Sequence, residues 1–440
     1  MPAATQNRIE QVFETPAQAA VSVLSNDRPT TFYIWLVVLG CATMDFTVLD
    51  MGKYSILLIY IAAVPFCWKV TRRSLTFLLL PLISTALAVL VSFLQGNVNP
   101  MGIASQGALQ LLAIFFAAGV AALDWRKYFT SLSKSMVAVG LPIVVFGGYQ
   151  MFARIYHWKF AFLPVTNQQA YAVGGLQRGW EKSVFTRASS LFAEPSEFGY
   201  YCLWLMILGL SSKGKARILA LCLAFSGMLF SQSLSGALGV AVLLIAYVSV
   251  NPISFNIVRH AAIVVIASVI AVLAIQPLAP EAFDKFSERI TQAVTLDNRA
   301  DSGRVDHLPA NWESFKEAPI WGKGLASITA AEDNGVDVTT FTYLLVLIER
   351  GLVGGFFFMA PWFWLAYRAT KLPVGDALRT PCILLSVLSL YTFANSAIVY
   401  TLTYWLALGI CASCVLGTYL PVRHLALVFQ SPLDHSKARQ

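Results

Sequence analysis

The chain has 440 residues, 57% hydrophobic and only 12% charged, with a formal net charge of +8. Ordinary soluble domains carry about 25% charged residues, so this composition excludes a soluble globule and predicts an all-α polytopic membrane protein. With no Walker loop, dinucleotide fingerprint or His-Glu-x-x-His pattern in the sequence, no cofactor, metal ion or nucleic-acid partner is expected.

Residues 1–30 are polar and lack the apolar core of a cleavable signal peptide, so they are expected to remain as a cytoplasmic tail. Hydrophobic runs then predict about twelve transmembrane helices, at 32–50, 53–68, 74–94, 103–123, 135–155, 191–211, 216–231, 235–250, 259–279, 340–366, 378–397 and 402–420. They form one transmembrane domain over 31–422, followed by a second cytoplasmic tail at 423–440. The short connections that carry Lys69, Arg72, Arg73, Arg126, Lys127, Lys134, Lys213, Lys215, Arg217, Arg259, Arg368, Lys371 and Arg379 fall on one side. The bias of short cytoplasmic loops toward Lys and Arg makes that side the inside. Two long segments, 156–190 and 280–339, then face outward, and Arg154, Lys159, Arg187, Arg304, Lys323 and Arg350 lie in or beside them. These outer cations are read as available to an anionic ligand. All seven cysteines fall in predicted spans, and Cys411-Ala-Ser-Cys414 is read as a pair of packing residues rather than a redox motif.

Charged residues at a membrane boundary are costly and call for a partner or a substrate. Arg187 leads into Glu194-Pro195-Ser-Glu197-Phe-Gly199 at the start of one span. Glu194 with proline in the first turn suits a helix start. Glu197 lies one turn further, beside Tyr200 and Tyr201, where a second carboxylate asks for a chemical role. In the longer outer loop the hydrophobic period becomes helical, with Phe283, Phe286, Ile290 and Val294 on one face, then Leu308, Trp312 and Phe315. This predicts interfacial helices in 280–318. Between them, Asp301-Ser302-Gly303-Arg304 places a guanidinium beside backbone N–H groups, an arrangement suited to phosphate. His307 is read as a supporting loop residue.

The ordered set Phe192-x-Glu194-Pro195 with Gly199, Ser231-x-Ser233-x-Ser235-Gly236, Ser302-Gly303-Arg304, Trp312 to Pro319 with Gly322-x-Gly324, and Tyr343-Leu344-x-x-Leu347-x-Glu349-x-Gly351-Leu352-x-Gly354 resembles the O-antigen ligase and Wzy-type polymerase superfamily over roughly 185–355. The resemblance implies a C-type glycosyltransferase of the bacterial inner membrane. Its substrate would be glycans on undecaprenyl diphosphate at the periplasmic face, with a chain-length regulator and a flippase as further partners. Arg187 and Arg304 would hold the diphosphate, with Glu194, Ser302, Gly303, His307 and Tyr343 lining the substrate. One departure is that Thr340-Phe341 stands where ligases of the superfamily carry His-Asn. The expected activity is therefore a repeat-unit polymerase of O-antigen or exopolysaccharide, with a ligase or related oligosaccharyltransferase as the alternative.

The chemistry fits without a nucleotide, because a lipid diphosphate is already an activated leaving group. Arginines stabilise the charge that develops on it, and Glu197, favoured over Glu194, Asp301 and Asp337, takes the acceptor proton. The rival classes are a transporter of lipid-linked oligosaccharide, against which the sequence shows no repeat between halves, and a non-catalytic assembly partner, which leaves the outer arginines without a role.

Overall fold

The computed structural model describes residues 28–43, 57–63, 72–96, 100–163, 187–251, 308–327, 342–395 and 401–416, with the single positions 280, 284 and 291. Regular structure among these residues is helical: α1 (Arg28–Thr43), α2 (Arg72–Leu94), α3 (Pro100–Ala121), α4 (Trp125–Ile155), α5 (Pro195–Ser211), α6 (Gly214–Ser231), α7 (Leu234–Val250), α8 (Leu308–Lys316), α9 (Thr342–Thr370), α10 (Arg379–Asn395) and α11 (Leu402–Leu416). A further helical stretch covers 57–63. Five stretches, Phe77–Leu94, Pro100–Ala121, Trp125–Arg154, Gly214–Ser231 and Tyr343–Thr370, are long and apolar enough to cross a bilayer, and Pro29–Thr43, Ser235–Val250, Arg379–Phe393 and Leu402–Leu416 are shorter apolar helices. The chain is a helical membrane protein.

Expected spans coincide with these helices wherever the two can be compared. The main difference is α4, which begins at Trp125 rather than near 135. Asp124 caps it by accepting the Arg126 N–H at 3.1 Å. The polar first turns, with Arg126, Lys127 and Lys134, masked the helix from a hydrophobicity reading. The expected span at 259–279, residues 1–27 of the expected amino-terminal tail and the carboxyl-terminal tail lie outside the described residues, whereas residues 28–30 belong to α1 rather than to a tail. Of the expected helix after Pro280, only Pro280, Asp284 and Thr291 are described, all helical and exposed. The second expected interfacial helix is present as α8, whose Phe315 packs on Ile348 of α9.

Polar contacts tie the helix ends together on two sides. At one end, Arg126 meets Asp376 at 2.5 Å, Ser133 meets the Ser212 hydroxyl at 3.3 Å, and Arg379 donates to Val250 O at 2.8 Å. Ser413 donates to Leu123 O at 2.6 Å on the same side. These contacts join the α3–α4, α5–α6 and α9–α10 turns to the ends of α7 and α11, so successive helices alternate in direction. Lys213, Lys215, Arg368 and Lys371 belong to the same turns, the distribution expected of connections on one side. The Glu194–Gly199 motif, the serine turn and the Gly322-x-Gly324 segment all lie toward the opposite end.

Two helices form the centre. Every residue of α5 from Phe198 to Leu210 is buried, as is nearly all of α11, so each is apolar around its whole circumference. Lipid tails are as apolar as leucine, so close packing rather than apolar transfer holds such helices together. Small residues permit that approach. A Cβ on Gly227 of α6 would lie 2.3 Å from Cys202 Sγ of α5, and one on Gly409 of α11 would lie 2.6 Å from Val120 Cβ of α3. Cys411 and Cys414 are buried free thiols, and Cys411 donates to the Cys382 carbonyl at 3.5 Å, consistent with a packing role.

Candidate functional site

Residues 187–194 run without regular helix between α4 and α5, and Ala188, Ser189 and Ser190 are fully enclosed. Irregular backbone at membrane depth survives only where protein satisfies its polar groups, and here α4 and α6 do so. Ala188 donates its N–H to Phe230 O at 3.0 Å. Gln150 Oε1 accepts the Ser190 N–H at 2.7 Å, while Ser190 Oγ donates to Ile143 O at 2.6 Å. Arg154, one turn beyond Gln150 on the same face of α4, donates to the Arg187 carbonyl and, through Nε, to Ala161 O at 2.8 Å. Its guanidinium also reaches Ser189 Oγ at 3.4 Å and lies 4.5 Å from the Phe162 ring centre. The segment is thus anchored through side chains of α4.

Arg187 stands where this segment meets the turn between α6 and α7. Its Nε donates to Ser231 O at 3.3 Å, and its side chain is half-buried. The turn is built from serines: Ser233 caps α7 by accepting the Gly236 N–H at 3.1 Å, and its hydroxyl lies 3.0 Å from that of Ser235. Gly199 brings α5 against the turn, since a Cβ there would lie 3.0 Å from Ser233 Cβ. Two helix N-termini, those of α5 and α7, therefore adjoin Arg187, with Arg154 close enough to feel its like charge. Each N-terminus carries roughly half a positive charge. The turn also carries the carbonyl end of α6, on which Arg187 rests, and two carboxylates cap α5, so the corner mixes both signs of charge beside its serine hydroxyls.

Glu194 and Glu197, both half-buried, stand at the start of α5. Glu197 Oε2 accepts the Glu194 backbone N–H at 3.2 Å, the returning half of a capping box, and Ser196 donates to Glu194 Oε2 at 2.8 Å. Both carboxylates therefore stabilise the start of α5. The expectation that only Glu194 has this duty needs extending to Glu197, whose position at the third helical residue places its side chain back over the cap.

A second cluster joins two motifs that are separate in sequence. Helix α9 is interrupted at Gly351, which has φ +64°. The interruption exposes carbonyls and N–H groups to the segment 319–326, which satisfies them as a neighbouring strand would. Lys323 N and Gly324 N donate to Ile348 O and Glu349 O at 2.7 and 2.9 Å, while Leu352 N and Val353 N donate to Pro319 O and Ile320 O at 2.8 and 3.1 Å. Gln95 and Ser92 of α2 hold the far side by donating to Gly322 O and Leu325 O at 2.9 and 3.1 Å. Glu349 Oε1 accepts the Ala326 N–H at 3.2 Å. The Gly322-x-Gly324 and Glu349-x-Gly351 motifs are thus the two sides of one backbone contact.

Arg350 corrects an expectation. Rather than standing among the outer cations available to a ligand, it is 1% exposed. It donates to Ser84 Oγ at 2.8 Å and Gln110 Oε1 at 2.5 Å, and lies 4.4 Å from the Phe358 ring centre. Its position one residue before the break turns the side chain inward to α2 and α3, where three polar groups that read as scattered span residues accept it.

Of the candidate residues, Arg187 bonds the serine turn, while Glu194 and Glu197 cap the start of α5, whose Gly199 packs on the same turn. Tyr343 lies in the first turn of α9, half-buried against the bundle core. Ser302, Gly303, Arg304 and His307, with Asp301 and Asp337, lie outside the described residues. Sequence reasoning missed Gln150 and read Arg154 as an outer cation available to a ligand, whereas it is buried and spent on the Ala161 and Arg187 carbonyls. The available signal was their spacing of four on a strongly apolar helix. Residues 219–359, which include the serine turn and the α9 break, match the family model described as O-antigen ligase. No curated protein matches the chain.

Proposed function

We propose that the chain belongs to the O-antigen ligase and Wzy-type superfamily, a reading supported by the match of residues 219–359 to the family model described as O-antigen ligase, and that it is a polymerase joining oligosaccharide repeat units carried on undecaprenyl diphosphate, in synthesis of O-antigen or exopolysaccharide. The observation that carries the reading is Arg187, held on the Ser231 carbonyl at the serine turn that starts α7. In this reading the protein is a C-type glycosyltransferase of the inner membrane with about twelve spans and inside termini. Segments 156–190 and 280–339 face the periplasm, and Arg304 approaches the site from the second of them. The basic turns at the opposite end of the bundle support this orientation.

The proposed reaction is a displacement. An acceptor hydroxyl oxygen attacks the anomeric carbon, and the bond from that carbon to the diphosphate oxygen breaks. The electron pair leaves on the diphosphate, where Arg187 and Arg304 stabilise it. Such preorganised donors contribute roughly 3–4 kcal/mol each, enough to do a metal ion's work at the leaving group. The acceptor proton passes to Glu197. Ser302, Gly303, His307, Glu194 and Tyr343 complete the substrate surface in this account.

Glutamine separates the two duties of Glu197. Glu197→Gln keeps an oxygen to accept the Glu194 N–H, so the cap and thermal stability should persist while the rate falls about 10²-fold or more, the usual share of a general base. Glu194→Gln should lose far less. A full rate in Glu197→Gln would reduce that residue to its capping role.

Deletion of the gene tests the function as a whole. Polymer should vanish while single repeat units on undecaprenyl diphosphate persist. The ligase alternative, favoured by the description of the matching family, gains if polymer of normal length accumulates on the lipid carrier. Intermediates trapped at the cytoplasmic face would instead indicate a transporter.

A further inference from the structure

Past the end of α4 the chain makes a tight loop at 156–163, on which Tyr156, Trp158 and Phe160 are 45%, 51% and 63% exposed. Tyr156 and Trp158 stack with ring centres 5.6 Å apart and an interplanar angle of 26°, and Tyr149 lies 6.0 Å from Trp158. The loop is braced from α4. Tyr149 donates its hydroxyl to Lys159 O at 2.6 Å, Trp158 N donates to Ala153 O at 2.8 Å, and Arg154 Nε donates to Ala161 O at 2.8 Å. Within it, His157 and Phe160 adopt the left-handed backbone region, at φ 55° and 61°, an arrangement that persists only where surroundings enforce it. The rings are thus held in place while their faces remain open.

Exposed tyrosine and tryptophan near a span end often form an interfacial belt, and this accounts for Tyr149 within α4. Trp158, with its ring 6.0 Å from that of Tyr149, stands at the same level. The loop that carries it differs from a simple belt in its attachment. One side chain links it to the corner at Arg187, because Arg154 bonds both the Arg187 carbonyl and Ala161 O. The loop that carries Trp158 is therefore fastened to the same segment as Arg187.

We propose that Tyr156 and Trp158 form a stacking subsite for a pyranose ring of the lipid-linked saccharide, a role that rests on the function proposed above. The axial C–H groups on one face of a pyranose carry partial positive charge and match the negative face of an aromatic ring. Such a contact reads the sugar and ignores the lipid, whereas Arg187 reads the diphosphate and ignores the sugar.

The test uses full-length protein in nanodiscs and two probes: the sugar-bearing lipid extracted from cells lacking the protein, and sugar-free undecaprenyl diphosphate. Trp158→Ala should weaken binding of the sugar-bearing lipid about ten-fold and leave the sugar-free lipid unchanged, while Trp158→Phe retains most of the affinity. Arg187→Ala should weaken both lipids. If Trp158→Ala weakens both equally, the ring is a membrane or structural contact and the subsite is overturned. If it weakens neither, the subsite is likewise overturned, with the diphosphate reading intact. Should Arg187→Ala leave both affinities unchanged while Trp158→Ala remains sugar-selective, the diphosphate reading fails and the subsite stands.

Discussion

Replacing Arg187 by alanine is expected to lower polymer formation from purified lipid-linked repeat units by about 10²–10³-fold, the loss typical of one preorganised charge-stabilising donor. Lysine should rescue little. Nε of Arg187 is committed to the Ser231 carbonyl, and an arginine can hold that contact while its fork serves a phosphate. A lysine ammonium is a single point that must choose between the two. The same outcome is expected for Arg304→Ala and Arg304→Lys, since the proposal has both residues sharing one diphosphate. Loss of the Ser231 contact alone costs only about 1 kcal/mol, so a variant that folds with unchanged thermal stability and a collapsed rate separates the chemical role from the structural one. Full activity of Arg187→Ala would remove it from the leaving-group site. Running the assay in a chelator asks whether the arginines carry the charge alone, and a strict requirement for a divalent cation would show that they do not.

Gly351→Ala should be the most damaging single methyl in the protein. The added Cβ would lie 2.2 Å from Ile320 O and 2.5 Å from Gly322 N, on a backbone at φ +64° that disfavours any side chain. Backbone atoms line the space on both sides, so relief requires separating the 319–326 segment from α9 and breaking the four backbone hydrogen bonds between them. A loss above about 4 kcal/mol, seen as failed expression or a large drop in thermal stability in detergent, is expected. Gly355→Ala, four residues along the same helix, is the control. Its nearest neighbour is the flexible end of Leu347 at 3.2 Å, and the helical backbone there prefers alanine. Near-normal folding of Gly351→Ala would mean that the break in α9 does not depend on this contact.

The helices were legible because apolar runs of span length have few other meanings, and α2, α3, α6, α7 and α10 lie close to where those runs fall. The start of α4 was not, since lysine and arginine in the first turns of a long helix look like a connection. Around the site, Arg187, Glu194 and Glu197 were identifiable from charge placed at a boundary. Their mutual arrangement was less so: the capping box gives Glu197 a backbone partner that spacing alone leaves optional. Gln150 escaped notice and Arg154 was taken for a ligand-binding cation because their partners are carbonyls and a serine of a buried irregular segment, and sequence does not reveal which loop packs back into the bundle. The same reason hid Arg350, whose acceptors Ser84 and Gln110 lie on two distant helices.

Helix α5 is 17 residues long and closed at both ends, about 25 Å at 1.5 Å per residue, shorter than a hydrocarbon layer of about 30 Å. In contact with lipid, that deficit would force the bilayer to thin or the helix to recruit neighbours. Enclosure by α4, α6, α7 and α10 takes α5 itself out of contact with lipid, and of these neighbours α4, with 31 residues, is the one that exceeds membrane thickness. The functional corner at the start of α5 can therefore sit below the level of the surrounding headgroups, in a recess walled by the longer α4. Changing lipid acyl length should then alter the tilt of the outer ring while leaving the geometry around Arg187 in place.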